Sequence, residues 1–415
     1  MSLVAPGARL TPERGWFLYD WANSAFATVC MTAVLPPLVA SLANEELGAP
    51  AGTVVWAWTA AAGLGVGAVL APPLGALADA RGWRKGLLFA FALGGALATA
   101  AMALVLPQSW RAACVLYVLA ATAFASANVF YDGLLPGLGP PERWDELSAR
   151  GYAWGYAGGG LALIGAATIV MAGGPAAAAW AFVLVGVWWA VFTVPLMGSV
   201  PEPPVAGDRQ PLRRLAQTLA EARRHPNLWR FLLAYWLYSD GIGTVIKLAG
   251  AYGAELGVPL HVMLGALVAT QFVGVPATVL FGRLGARVGA KAGILVALAG
   301  YVGIVILGYF MRHAWQFVAL ALLVGCVQGG AQALSRSLYA RLVPTGREAE
   351  YFSFLDVSGR MAGVAGPLIF AAVTGLAGQG RVGILAVLAL FVAGAWMLAC
   401  VKVSSRCHEH VKACV

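Results

Sequence analysis

The sequence predicts an all-α integral membrane protein with twelve transmembrane helices, arranged as two pseudo-symmetric bundles of six. Composition, the pattern of apolar runs and an internal repeat support this prediction. Of the 415 residues, 60% are hydrophobic and only 11% are charged, whereas soluble domains carry about 25% charged residues. Because a soluble core could not bury so much apolar surface, we expect the chain to lie in a lipid bilayer.

Apolar runs recur along the whole chain, and each is long enough to cross a bilayer, which takes about 20 residues. Backbone polar groups in lipid must form hydrogen bonds within their own segment, so each run is expected to be a helix. The twelve runs cover residues 16–41, 53–78, 87–106, 110–134, 148–172, 176–198, 227–252, 260–281, 292–311, 314–338, 352–376 and 380–402.

Two short patterns occur twice and indicate a duplicated half. The loop sequence GALADARGWRK at 75–85 is matched by GRLGARVGAK at 282–291. The matched positions, each 207 residues apart, are Gly75 and Gly282, Gly82 and Gly289, and Arg84 and Lys291. A glycine pattern in the fifth run recurs in the eleventh, 208 residues later, at Gly151 and Gly359, Gly155 and Gly363, and Gly158 and Gly366. Parallel repeats of this kind are a known architecture of secondary transporters.

The domain organisation follows from the repeat. We predict a first six-helix bundle at 1–198, a cytoplasmic linker at 199–226, a second bundle at 227–402 and a cytoplasmic tail at 403–415. Four prolines break the linker, at Pro201, Pro203, Pro204 and Pro211. The basic stretch that follows, 213–224, is typical of an amphipathic helix on a membrane surface.

Charge placement predicts the orientation. If both termini are cytoplasmic, the loops on the opposite side hold only Arg111, Arg312 and Arg381, and the other loops hold most of the basic residues. This asymmetry is the positive-inside pattern. The net charge of +9 is therefore expected to face anionic lipid rather than nucleic acid. A composition rich in Ala, Gly and Arg favours a bacterial inner (plasma) membrane.

The loop after the second run resembles the signature loop of the major facilitator superfamily, at Gly75, Asp79, Gly82, Arg84 and Lys85. The resemblance implies the fold predicted above, and it implies that Asp79 helps to hold the cytoplasmic side closed. The second copy of the loop has Ala286 at the position of this acidic residue. A matching contact is therefore not expected in the second half.

The first run, with YDWANSAFATV at 19–29, resembles the vacuole-effluxer branch of that superfamily, known from an autophagy-linked amino-acid exporter. SRSLYARLVP from Ser335 and EYFSFLDVSGRMAG from Glu350 resemble it too. The resemblance implies a secondary transporter that moves a small solute by alternating access, with amino-acid or related metabolite efflux favoured and protons as the candidate coupling ion. Import of a vitamin or metal ion, or a non-transporting membrane sensor, are the alternatives.

The seventh run carries two charges within the membrane, Asp240 and Lys247. Inserting a charge at this depth costs about 2.5–3.5 kcal/mol of free energy on insertion scales, so each of these residues is expected to have a functional or structural role. Seven residues make two helical turns, which places both side chains on one face. We predict that Asp240 is a coupling or substrate-binding carboxylate and that Lys247 modulates it; the alternative is a static ion pair between packed helices.

Uncharged polar residues are predicted to line the solute cavity, and interhelical hydrogen bonding is the alternative role. They are Asn23, Thr28, Asn128, Gln271, Gln328 and Gln332, with Tyr235 and Tyr238 as a candidate aromatic pocket. Trp16 is expected instead to lie in the aromatic belt at the membrane surface.

Charged residues in the cytoplasmic third are predicted to form a gate that is closed when carboxylates of the first half meet arginines of the second. The candidate gate residues are Asp20, Asp79, Arg84, Asp132, Arg336, Asp356 and Arg360. Asp356 and Arg360 are four residues apart and can bridge. Their first-half counterparts are Ser148 and Tyr152, so this pair is specific to one half. Ordinary salt bridges at helix ends are the alternative.

No catalytic or cofactor-binding motif is found in the sequence, so neither enzymatic activity nor a cofactor is expected. The tail CHEHVKAC from Cys407 fits no standard zinc template, and no metal site is predicted. We expect a monomer whose partners are the bilayer and a small-molecule substrate.

Overall fold

A computed structural model describes residues 10–48, 51–106, 108–202, 225–255, 258–362, 366, 369, 372–373 and 380–402. Every regular element in these ranges is helical. The first-half helices are α1 (Pro12–Leu47), α2 (Ala51–Arg81), α3 (Arg84–Val105), α4 (Trp110–Gly133), α5 (Pro141–Gly173) and α6 (Ala177–Ser199). The second-half helices are α7 (Pro226–Glu255), α8 (Leu260–Val288), α9 (Ala290–Tyr309), α10 (Ala314–Leu342), α11 (Glu348–Met361) and α12 (Gly380–Ala399).

These helices agree with the predicted spans. Within the described residues, nine are long and apolar enough to cross a membrane, namely α1 to α6 and α8 to α10. The helices α7, α11 and α12 lie where the seventh, eleventh and twelfth runs are predicted. Helical backbone runs without interruption from Trp144 to Ser199, through both α5 and α6. The predicted basic helix at 213–224 and the tail at 403–415 lie outside the described residues.

The first helix changes its hydrogen-bonding pattern in the middle. Pro12–Ala25 is α-helical, Phe26–Ala33 is π-helical and Leu35–Leu47 is α-helical again. The hydroxyl of Thr32 donates to the carbonyl of Ala27, five residues earlier, at 2.9 Å. Wide turns of this type are rare and occur often at functional sites.

Glycines allow α5 to lie directly against α1. A Cβ on Gly155 would stand 2.7 Å from the hydroxyl of Ser24, and one on Gly158 would stand 2.5 Å from the carbonyl of Trp21. Because side chains would collide at this spacing, the small residues in α5 are required for the close approach of the two helices.

The two halves contact each other mainly through α5 against α8 and α2 against α11. These two pairs are equivalent under the internal repeat. A Cβ on Gly75 would meet the carbonyl of Ala349 at the start of α11, at 2.6 Å. A Cβ on its repeat partner Gly282 would stand 3.3 Å from the carbonyl of Asp145 at the start of α5. The glycines of the duplicated loop therefore allow each half to approach a helix end in the other.

The two copies of the loop differ in length by one residue. Gly82 and Gly289 both have positive φ, 67° and 90°, but α3 starts two residues after Gly82 and α9 starts one residue after Gly289. The ammonium of Lys85 donates to the Met197 carbonyl at the end of α6, at 2.9 Å. Lys291 donates in the same way to Ala399 and Val401 at the end of α12, at 2.6 and 2.9 Å. In its contacts Lys291 thus corresponds to Lys85, one position after Arg84, with which it is matched by spacing.

Candidate functional site

A cavity of about 440 Å³ lies between the two halves. Helices α1, α4 and α5 of the first half and α7, α8, α10 and α11 of the second form its walls. The predicted site residues that line it are Asp20, Asn23, Thr28, Asn128, Asp132, Tyr235, Gln271, Gln328, Gln332, Arg336 and Asp356. We call the end of the molecule that carries the loops 81–85 and 283–291 the basic end.

Arg336 of α10 joins the halves on the cavity side of the basic end. Its guanidinium contacts Asp132 at 3.0 Å and Asp20 at 3.5 Å, both in the first half. Its Nε also donates to the hydroxyl of Ser148, and its Nη2 to the carbonyl of the same residue, at 2.8 and 2.9 Å. The predicted meeting of first-half carboxylates with a second-half arginine is present in this structure.

Three aromatic rings surround the same guanidinium. Its carbon lies 4.6 Å from the Trp16 ring centroid, 5.3 Å from that of Tyr131 and 4.3 Å from that of Tyr152. Trp16 is fully buried, and its indole N–H donates to the Tyr131 carbonyl at 3.0 Å. The prediction that Trp16 lies in a surface belt is therefore wrong. A buried cation gains more from aromatic faces than an exposed one.

Some lining residues are also hydrogen-bonded within the first half. The amide of Asn23 donates to Asn128 at 2.8 Å, which links α1 to α4. The hydroxyl of Thr28 donates to the carbonyl of Gly159 in α5 at 3.1 Å. Tyr131 donates to Asp20 at 2.9 Å. These residues therefore both face the cavity and bond neighbouring helices.

Asp79 and Arg84 lie nearer the basic end, in a second contact between the halves. Arg84 bonds Asp79 at 2.5 Å within its own half and Glu348 at 2.6 Å in the other. Asp79 also accepts the backbone N–H groups of Ala349 and Glu350, at 3.2 and 2.8 Å. These N–H groups belong to the first turn of α11, where a carboxylate satisfies unpaired donors and the helix dipole.

A third contact between the halves was not predicted. Asp145 at the start of α5 accepts from the hydroxyl of Ser337 at 2.5 Å and from Arg341 at 2.6 Å, both in α10. Asp145 is only 2% exposed. The sequence feature that could have identified Asp145 is its position at the start of an apolar run. A carboxylate at such a position can contact the other half, as Asp79 does.

Asp240 and Tyr238 lie away from the cavity lining. Asp240 is 1% exposed and accepts the backbone N–H of Gly366 at 2.7 Å, between α7 and the chain that follows α11. The hydroxyl of Tyr238 bonds that of Ser335 at 2.6 Å. The side chains of Lys247 and Arg360 are outside the described part of the structure, so their predicted roles stay predictions.

Among the described residues, no group of three or more His, Cys, Asp or Glu side chains is arranged to hold a metal ion. The four cysteines in the described ranges, Cys30, Cys114, Cys326 and Cys400, are free thiols.

Comparison with known proteins identifies the family. The family model described as "Vacuole effluxer Atg22 like" matches residues 57–410. An uncharacterized MFS-type transporter, YxiO of Bacillus subtilis (strain 168), is 35% identical over 403 residues, covering 93% of this chain and 94% of its own. Autophagy-related protein 22 of Coccidioides immitis is 23% identical and covers 88% of this chain and 82% of its own.

A solved structure supports the fold. The human organic anion transporter MFSD10 superposes with a TM-score of 0.75 at 19% identity, covering 93% of this chain and 97% of its own. The family match and the transporter relatives indicate a transporter rather than an enzyme. The chain belongs to the Atg22-like vacuole effluxer family and is a secondary transporter of the major facilitator superfamily.

Proposed function

We propose that the protein exports a small zwitterionic or cationic metabolite of the amino-acid class by alternating access. The observation that carries this proposal is the mixed charge of the cavity wall. Its described lining combines the carboxylates of Asp20, Asp132 and Asp356 with the guanidinium of Arg336 and with five side-chain amides. Efflux as the direction rests on the family description.

The lining suits an amino acid because it offers partners for both of its charged groups. A solute ammonium can pair with Asp356 or Asp132, and a solute carboxylate can compete for Arg336. The amides of Gln271, Gln328 and Gln332 can accept and donate hydrogen bonds around a polar side chain. Carboxylates outnumber the arginine in the described lining, so we expect neutral and cationic amino acids to be preferred over acidic ones.

In this proposal, the ion pairs between the two halves at the basic end form the gate. They join Arg336 to Asp20 and Asp132, Arg84 to Glu348, and Arg341 to Asp145. A solute that pairs with the Arg336 cluster would weaken one of these contacts and so favour opening of that end. We infer that the basic end faces the cytoplasm of a bacterial cell. Opening of this end admits the solute from the cytoplasm, and the protein then exports it across the plasma membrane.

Solute exchange in proteoliposomes tests the proposed substrate class. Vesicles with the full chain are preloaded with unlabelled lysine, leucine or glutamate, or in parallel with a vitamin or a metal ion, and uptake of the same labelled solute is measured against protein-free vesicles. We expect exchange at least about tenfold above the control for lysine or leucine, and weaker exchange for glutamate. Exchange of only a vitamin or a metal ion would favour the importer alternative, and no exchange of any solute would favour a sensor.

Proton coupling is proposed to depend on Asp240. Protonation would weaken the bond from the Gly366 N–H to its carboxylate and so loosen α7, which carries the cavity residue Tyr235. In the Asp240→Asn variant we expect amino-acid exchange to persist and accumulation driven by a pH gradient to fall by about tenfold. The fold should survive, because the asparagine carbonyl still accepts from Gly366.

Glu46→Gln is the matched control for Asp240→Asn. Glu46 is an exposed carboxylate that pairs with Arg111 at the other end of the molecule. The Glu46→Gln variant should keep both amino-acid exchange and gradient-driven accumulation. If Asp240→Asn accumulates solute as well as the parent protein does, Asp240 has no coupling role, whether or not the substrate class is right.

A further inference from the structure

A second cavity of about 770 Å³ lies at the basic end, outside the solute site. It is bounded by the loop after α8, the last turns of α10 and α12, and the start of α5. Ala286 is in its wall, at the repeat position of Asp79. In the first half the side chains of Asp79 and Arg84 fill the corresponding place against α11. In the second half the alanine and the shorter loop leave this space open.

The charged side chains around this cavity have a net positive charge. Lys291, Arg341 and Lys402 line it together with the carboxylates of Glu142 and Asp145. Asp145 is already paired with Arg341 at 2.6 Å. Lys402 is exposed, and its four-carbon side chain can turn toward an anion in the cavity.

The cations also retain hydrogen-bond capacity. An ammonium has three N–H donors and a guanidinium has five. Lys291 donates to two backbone carbonyls, which leaves one N–H of its ammonium. The described bonds of Arg341 are to Asp145 and to the carbonyl of Pro141. Both side chains can therefore bind an anionic oxygen without giving up the contacts that hold them.

Helix ends bound this cavity, which places it at the expected level of the membrane surface. Its wall includes Val288, Ala290 and Ala399, which are the last residue of α8, the first of α9 and the last of α12. The 29 residues of α8 span about 43 Å, which matches a bilayer with its headgroups, so we expect these helix ends at headgroup depth. Leu338 and Val401 add an apolar surface beside the charges. Basic pockets between transmembrane helices at this depth suit anionic lipid headgroups.

We propose that this cavity binds the phosphate group of an acidic phospholipid, held by Lys402, Lys291 and Arg341. Glu142 and Asp145 come from the first half, whereas the three cations come from the second. A lipid bound here therefore sits at the joint between the halves. Because it contacts this joint in its closed form, it favours the state in which the basic end is closed.

The test uses the purified full chain in a neutral detergent. The added probes are phosphatidylglycerol, phosphatidylcholine, glycerol 3-phosphate and inorganic phosphate. Two quantities are measured: the melting temperature, and the alkylation rate of Cys400, which lines the cavity and is exposed. Peptide mass analysis reads Cys400 separately from the other cysteines. We expect phosphatidylglycerol to raise the melting temperature and to slow alkylation of Cys400, and phosphatidylcholine to do neither.

Variants assign the effect to the cavity. Lys402→Gln should weaken phosphatidylglycerol binding by about fivefold, as expected for one cation at a membrane surface, and Lys291→Gln with Lys402→Gln should weaken it further. Arg287→Gln is the matched control. The substitution removes one charge from the same loop, and Arg287 is exposed and does not line the cavity. This variant should bind lipid like the parent protein.

The outcomes separate the two sources of phosphate. Protection by phosphatidylglycerol alone supports a lipid site, and equal protection by glycerol 3-phosphate or inorganic phosphate supports a site for soluble phosphate compounds. The proposal is overturned if no probe protects Cys400, or if the single and double lysine variants respond as the parent protein and Arg287→Gln do.

Discussion

Replacing Arg336 with glutamine is expected to lower solute exchange by more than about tenfold and to destabilise the closed state by about 3–5 kcal/mol. The change leaves the buried Asp20 and the partly buried Asp132 without their cation, and it removes the guanidinium from between the rings of Trp16 and Tyr152. The exchange assay and the melting temperature of the purified protein measure the two effects.

Two further variants make the result for Arg336 interpretable. Adding Asp132→Asn to Arg336→Gln removes one of the stranded charges, so it should recover part of the melting temperature without restoring exchange. Arg312→Gln removes an exposed cation outside the contacts between the halves and should change stability by less than about 0.5 kcal/mol. Exchange at the parent rate in Arg336→Gln would show that this arginine is no part of the gate.

Replacing Asp79 with asparagine should shift the protein toward a form that is open at the basic end. Asparagine has one acceptor oxygen, so it can accept only one of the Ala349 and Glu350 N–H groups well, and it no longer neutralises Arg84. Hydrogen bonds to charged groups contribute about 1.5–3 kcal/mol, so the open fraction should rise by about tenfold or more.

Spin labels measure this shift directly. Arg81 and Arg287 are exposed at the basic end, one in each half, so labels on cysteines at these positions report the separation of the halves. Asp79→Asn should add a population with a longer distance. Glu146→Gln breaks an ion pair with Arg150 inside one half and should leave the distances unchanged. Identical distributions in the Asp79→Asn variant and the parent would remove Asp79 from the gate.

Much of the architecture could be predicted because it depends on patterns along the chain. Apolar length sets the helices, and the spacing of the glycine loops sets the repeat. The charges of Arg336, Asp20 and Asp132 were found for the same reason, since ionised groups within apolar runs must find partners. A search for such charges needs no knowledge of how the helices are rotated.

The sequence does not determine how each helix is rotated about its own axis. Tyr235 and Ile246 both line the cavity and are 11 residues apart, close to three turns. Asp240 is five residues from Tyr235, about 140° around the helix, and faces Gly366 instead. Trp16 shows the same limit, because a tryptophan near the start of a run has one sequence signature whether it faces lipid or the bundle. Only packing against α4 and α5 decides between the two.

The shorter second loop bears on how this transporter can evolve. Restoring an aspartate at position 286 would not recreate the contact of the first half. The new carboxylate would lie in the wall of the second cavity, near Asp145 at the start of α5, and would compete with a bound phosphate for Lys291 and Arg341. A loop that is one residue short has no counterpart of Arg84, since Lys291 is bound to the end of α12 as Lys85 is bound to the end of α6. A substitution and an insertion would have to occur together, so the difference between the halves is hard to reverse by single mutations.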